Sequence, residues 1–156
     1  MLNKSNDNQT EAQQRFIEDI ARLLLPWGVP QTAARLYGYL LLRAEPATLD
    51  RITTDLQVSK SSASVAARLL EKYMLVRRLG ERGSKRALYE VSDDYEKMLS
   101  EQNRLLQALA EVLRSGARVA ASRRTRDRLT DMAEFYSTML QAMESTARRW
   151  RAKRPP

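Results

Sequence analysis

Four serines and a lysine, Ser59, Lys60, Ser61, Ser62 and Ser64, open the segment VSKSSASVAARLL (58–70), and five cations, Arg77, Arg78, Arg82, Lys85 and Arg86, crowd ten positions shortly after it, opposed only by Glu81. Hydroxyls and guanidinium groups at this density hydrogen-bond and neutralise anions, phosphate above all. Covalent chemistry is another matter. The 156 residues include no His and no Cys, so Ser-His and Cys-His catalysis, Cys/His zinc sites and thiol redox sensing are excluded by inventory. No phosphate-cradling glycine loop is present and the Asp and Glu residues are scattered, so the chain is not expected to be an enzyme or to carry a metal or cofactor.

The balance of charge points the same way. Lys and Arg number 27 against 19 Asp and Glu, a net +8, and the isoelectric point is near 10.1, which makes polyanions or anionic membranes the natural partners. Residues 48–91 carry nine basic and five acidic side chains, 92–113 two and five, and 114–156 eleven and four. The excess sits in the middle and at the end. No apolar run approaches the ~20 residues of a membrane span, and the first fifteen residues lack a secretory apolar core; a cytoplasmic protein without a membrane partner is expected.

These residues need elements to position them, and the composition favours helix. Five Gly and five Pro are few for an all-β chain, and Ala, Leu, Arg and Glu are helix formers. Residues 1–10 read as a flexible polar segment. Residues 11–27 read as an amphipathic helix on Phe16, Ile17, Ile20, Leu23 and Leu24, stopped by Pro26. A second helix over 31–43 has Ala33, Leu36, Tyr37, Leu40 and Leu41 as its stripe. Thr48 can cap a short helix with Leu49, Ile52 and Leu56, and Ser59 can cap the serine-rich one. In the latter, Ala66, Leu69, Leu70 and Tyr73 would face inward, and Ser61, Ser64, Val65, Arg68 and Lys72 outward. MLVRRL and RALYEV around GERGSK read as a β-hairpin. The last third is helical: Tyr95, Met98, Leu99, Leu105, Leu106, Leu109, Val112 and Leu113 form one stripe. A second stripe of Leu129, Met132, Tyr136, Met139 and Met143 steps by three and four, the seam of helix-on-helix packing. Residues 148–156, with Arg148, Arg149, Arg151, Lys153 and Arg154, read as a frayed basic tail.

Two short helices followed by a hairpin is the winged helix-turn-helix order. The motifs RLYGYLL, TLDRITTDLQVSKSSAS, RLLEKYMLV and GERGSKRALY, standing in order within residues 28–91, resemble the MarR superfamily and most of all its GbsR-type branch. The flanking helices resemble that family in length and periodicity only. The likeness implies a mainly α fold with a small β-hairpin wing: a winged helix-turn-helix over 28–92, flanked by dimerisation helices at 11–27 and 93–147. It implies a dimeric transcription regulator, usually a repressor, on double-stranded DNA.

By position, Ser59, Lys60, Ser61, Ser62, Ser64, Val65 and Arg68 would open the recognition helix, and Arg77, Arg78, Arg82, Lys85 and Arg86 would lie on the wing. Val65 suits a thymine methyl. Arg68 suits a guanine edge or, alternatively, a brace to Glu71. Phe16, Ile20, Leu129, Met132, Tyr136, Met139 and Met143 would join two copies. A small-molecule effector between the dimerisation helices and the winged unit is also implied, with Trp27, Tyr37, Tyr39 and Tyr95 as candidate lining and a quaternary ammonium as a fitting ligand. Gln57 and Met74 stand where the family often has Gly, so both positions demand an uncomfortable backbone or a shifted helix end. The rival reading is a winged-helix protein-interaction module that does not touch DNA.

Overall fold

The computed structural model describes residues 3–80 and 82–155; Glu81, the one acid expected within the wing, lies outside them. The chain forms two compact units that divide after Asp93.

The first unit begins with helix α1 (Asn3–Leu24), followed by a 3-10 turn over Leu25–Trp27 that Gly28 closes at φ 83°. From Asn3 on, the segment expected to be flexible is helical. Once a helix is nucleated, each added residue gains a hydrogen bond at little further entropic cost. Ile17 and Ala21 are buried, whereas Phe16 and Leu23 of the expected stripe face solvent. The reason lies on α2 (Gln31–Leu41). A Cβ on Gly38 would stand 3.1 Å from the Ile17 Cα, so α1 and α2 approach almost backbone to backbone, and the small residue Ala21 accompanies that approach. Ala34 and Tyr39 are buried on α2 and Leu41 is not.

Strand β1 (Ala47–Thr48) precedes helix α3 (Leu49–Leu56) and helix α4 (Lys60–Lys72), and strands β2 (Val76–Gly80) and β3 (Ala87–Val91) complete the unit. The sheet order is β1-β3-β2, all antiparallel, with Ala47 opposite Tyr89 and Arg78 opposite Tyr89 on the other side. A two-residue strand is too short to carry a readable alternation, so only the hairpin was legible. Both caps are formed: the Thr48 hydroxyl accepts from the Arg51 amide at 3.2 Å and the Ser59 hydroxyl from the Ser62 amide at 3.1 Å. Gln57 and Met74 adopt the left-handed backbone, at φ 54° and 59°, the strained geometry their positions demand. On α4 the buried face is Ala63, Ala66, Ala67 and Leu70, and Tyr73 is exposed. This face is turned from the expected one toward the alanines, which let α4 settle close to α2. Leu36, Ile52 and Leu70 are fully buried at the centre.

The second unit is a helical hairpin, α5 (Tyr95–Val119) and α6 (Arg123–Lys153), joined by three residues. Its inner seam repeats in heptads. Leu99, Asn103, Leu106, Ala110, Leu113 and Ala117 of α5, and Leu129, Ala133, Tyr136, Leu140, Met143 and Ala147 of α6, are buried or half-buried, as helices crossing at a shallow angle require. Gly116 accepts the Leu129 side chain, which would stand 3.3 Å from an added Cβ. The basic end is no frayed tail, for α6 runs through it. Arg151 donates two hydrogen bonds to the Glu96 carboxylate, holding the Glu96 pKa below the usual range. Trp150 meets Tyr95 edge-on at 6.0 Å, and the Arg154 guanidinium lies 5.2 Å from the Tyr95 ring centroid.

Candidate nucleic-acid interface

The α3-turn-α4 unit holds the serines at one helix end. The Ser59 hydroxyl donates to Ser62 Oγ at 2.8 Å and lies 3.1 Å from Ser61 Oγ. Ser59 is therefore occupied by its cap, while Ser61 and Ser62 remain exposed. Lys60 Nζ sits 3.2 Å from Asp50 Oδ1, which offsets part of its charge. Val65 is 61% exposed. The Arg68 Nε donates to the Ser64 carbonyl at 3.4 Å, and among the described residues no Arg68–Glu71 ion pair forms, so the guanidinium is tied to its own helix by one long bond and to no carboxylate.

Along the wing, strand alternation divides the cations. Arg77 faces Glu90 across the ladder, donates to its carboxylate and also donates to Asp93 at 3.0 Å; the hydrogen bond to Glu90 raises its pKa further. It is a brace between strands. Arg78, one position on, points to the other face. Arg78, Arg82, Lys85 and Arg86 are exposed and have no side-chain ion-pair partner among the described residues. Between α4 and the wing opens a cleft of about 430 Å³ whose lining includes Lys60, Ser64, Arg68, Arg78, Lys85 and Arg86, with Asp50 and Glu71 as the only carboxylates among the described residues that line it. Ser61, Ser62 and Val65 line a shallower groove of about 310 Å³ on the other flank of α4, against Pro30 and Ala33. Lys60, Arg68, Arg78, Lys85, Arg86 and the exposed serines thus flank the outer ridge of one helix, whereas Arg77 is spent on the strand ladder and Arg82 is not part of either lining.

One cluster escaped sequence reading. The Tyr39 hydroxyl donates to Asp55 Oδ2 at 2.6 Å, Arg51 Nε donates to the same oxygen at 2.9 Å, and Arg43 Nη1 donates to the Tyr39 oxygen at 3.2 Å. Burial works to raise the Asp55 pKa, but these bonds, Tyr39's first, hold it below the ordinary value. Burial and the bond to Asp55 push Tyr39 up. The network ties α3 to α2. Its only sequence trace is the Arg51/Asp55 spacing of four. Tyr39 is thereby committed to the fold, and the other aromatic candidates are dispersed: Tyr37 lies two positions away on α2, Trp27 is 84% exposed in its turn, and Tyr95 belongs to the second unit.

Comparisons with known proteins agree with this geometry. Residues 93–153 match the family of MmpR5-like MarR family transcriptional regulators. YvaV of Bacillus subtilis (strain 168), named a putative HTH-type transcriptional regulator, is 31% identical over 85 residues, 54% of this chain and 48% of the relative. Over residues 93–153 the chain is similar to MarR family regulators. The HTH-type transcriptional repressor GbsR of the same organism is 28% identical over 90 residues, 58% of this chain and 49% of the relative. The chain spans about half the length of the curated relatives it matches. A crystal structure of a transcriptional regulator superposes at a TM-score of 0.81 with 21% identity, covering 91% of this chain and 99% of that one, and shares the fold. The family match falls on the helical hairpin, where the sequence resembled the family only in length and periodicity; the likeness is wider than residues 28–91. Among the described residues no helix is long and apolar enough to cross a membrane.

Proposed function

We propose that this chain is a MarR-family regulator, a homodimeric, sequence-specific repressor on double-stranded DNA, with α4 in the major groove and the wing along the minor groove. The observation that carries the reading is the cationic cleft between α4 and the wing, together with exposed Arg78, Arg82, Lys85 and Arg86, which have no ion-pair partner among the described residues. Arginine suits a narrow minor groove, where the negative potential is deepest. Ser61 and Ser62 fit phosphate, while Ser64, Val65 and Arg68 reach base edges. Lys60 and Arg77 act mainly by holding the surface in shape.

The homodimer is supported by what the hairpin leaves uncovered. Leu105, Leu109 and Val112 on α5, with Met132 and Phe135 on α6, are exposed. Leu129, Tyr136 and Met143 of the expected dimer seam are turned toward α5, and Met139 is half-buried. On α1, Phe16 is 38% exposed and available to a second copy, whereas Ile20 packs toward Gly38. The repressor role follows the name of GbsR. Release by a small effector belongs to the same reading and requires a ligand that binds the two states of the dimer with different affinity.

Fluorescence anisotropy on duplex from the chain's own upstream region tests the proposal. With roughly eight phosphates neutralised per dimer, log affinity should fall against log salt with a slope near -7, and half-sites should lie about 10 base pairs apart. Arg82→Ala with Arg86→Ala should weaken binding to every sequence and flatten the slope. No binding at low salt would favour the protein-docking alternative.

A further inference from the structure

The tip of the α5–α6 hairpin carries a second concentration of cations that the recognition surface does not use. Arg114, Arg118, Arg123, Arg124, Arg126 and Arg128 fall within fifteen residues, with Asp127 as the one acid, whereas residues 92–113 hold two basic and five acidic side chains. All six arginines are exposed. Arg114 donates to Ser137, Arg118 to Ser115 at 3.0 Å, and Arg123 lies 3.8 Å from Asp127. Arg124, Arg126 and Arg128 have no side-chain partner among the described residues.

This arrangement opposes the hairpin's own stability. The first turn of α6 contains no acidic residue, so four guanidinium groups crowd the positive end of a 31-residue helix, where the dipole favours anions and like charges repel. Ordinary solvated surface intersperses the two signs, as the middle of the hairpin does. The patch also lies at the far end of α5, roughly 37 Å along the helix from Tyr95 by the rise per residue, so nothing local to the start of α5 neutralises it.

We propose that this arginine tip is a second, sequence-independent contact for the phosphate backbone of duplex DNA, separate from α4 and the wing. Every cation is Arg, whose planar fork binds phosphate oxygens in pairs. An acidic protein partner is disfavoured because protein interfaces are anchored by buried aromatic or large apolar side chains. Across the arginine-bearing stretch 114–131 there is no aromatic, and Val119, at the end of α5, is the one large apolar side chain exposed there. A phosphate backbone requires only donors. The inference extends the DNA-binding reading above, and its test is separable from it.

The test is anisotropy on a random-sequence duplex of about 25 base pairs, titrated with salt, comparing the full chain with Arg124→Gln/Arg126→Gln/Arg128→Gln. Loss of three phosphate contacts should lower the slope by between about 2 and 3 while leaving the ratio of operator to random-duplex affinity unchanged. Added to Arg82→Ala/Arg86→Ala, the same changes should abolish the residual binding of that variant. The triple Arg→Lys variant should keep the slope and lose only part of the affinity. Melting temperature should rise in the Gln variant, since repulsion at the helix end is relieved. If wild type binds random duplex and the Gln variant binds it with the same affinity and slope, the tip is not a DNA contact and the inference is overturned, leaving an acidic protein as the alternative. If wild type binds no duplex at all, the DNA reading itself falls.

Discussion

The winged unit encloses a complete core, and the helical hairpin does not. In the first, Leu36, Ile52 and Leu70 are fully buried among α2, α3 and α4. In the second, the buried hydrophobics among the described residues are three alanines, Ala110, Ala117 and Ala133, while Leu105 is 73% and Phe135 64% exposed. Both segments are amphipathic helices, so the difference lies in what covers them. Two helices packed along one seam leave each outer face without a partner, and a face left apolar is a face meant for another surface. The first unit can be stable by itself; the second, in the dimer proposed above, is completed by another copy.

Truncations should separate the two most sharply. Leu70→Ala removes a side chain that cannot be replaced by solvent and should destabilise the winged unit by about 2–5 kcal/mol, read as a large fall in melting temperature. Leu105→Ala removes the same atoms from a site the single chain leaves in water, so the fold should hardly respond in the monomer. Equal losses for the two would erase the contrast. Leu105→Glu with Val112→Glu should dissociate the dimer, with the self-association constant weakened by at least about 30-fold if the stripe holds hot-spot residues worth ~2 kcal/mol or more. Sedimentation velocity reads this directly, and an unchanged dimer would place the interface elsewhere.

Within the hairpin, Asn103 interrupts the otherwise apolar seam of α5, and its Oδ1 is buried with no hydrogen-bond partner among the described residues. A polar group at a heptad position fixes register while lowering stability. Asn103→Leu should therefore raise the hairpin's stability by about 1–3 kcal/mol, the desolvation penalty of an unsatisfied polar group, measurable by denaturant titration. A loss would mean that the amide finds its partner in the dimer.

The winged unit has its own polar fastening in Asp55. Its pKa is held below the ordinary carboxylate value of about 4 by Tyr39, Arg51 and Arg43, so its contribution to stability is fully present above that value and is lost as the pH falls through the folded-state value. Between about pH 7 and 5 the winged unit's stability should not change on this account. Below about pH 4 wild type should lose stability faster than Asp55→Asn, which already lacks the titrating charge; parallel acid profiles would show that the Asp55 charge fastens nothing.

How much of this was legible in the sequence depends on whether a feature is local. Thr48 and Ser59 announce themselves as caps because a hydroxyl before an apolar helix has few other uses, and the β-hairpin shows in its glycines and alternation. The burial phases of α1 and α4 were not legible, because they turn on close approaches at Gly38 and at the alanines of α4, where the absence of a side chain permits the contact and leaves no apolar signal. The basic end of α6 reads as a tail until Glu96, 55 positions earlier, is brought beside Arg151. At the site, the density of cations around 59–86 was readable, but which of them the fold consumes was not: Arg77 looks like Arg78 until the register sets it opposite Glu90.

The smallest expected effect tests the join between α3 and α4. Gln57 closes α3 in the left-handed conformation at φ 54°, where its amide donates to the Thr53 carbonyl, as does that of its neighbour Val58 at 3.2 Å. Glycine adopts this backbone without the Cβ clash that disfavours it for other residues. Because the turn is already formed, Gln57→Gly should relieve that strain and stabilise the winged unit by about 0.5–1 kcal/mol, less the extra entropy glycine gives the unfolded chain. The hairpin, which shares no part of this turn, should be unaffected by it. A destabilised variant would show that the Gln57 side chain contributes more than its backbone geometry takes away, and that the turn between the two helices is held by more than its caps.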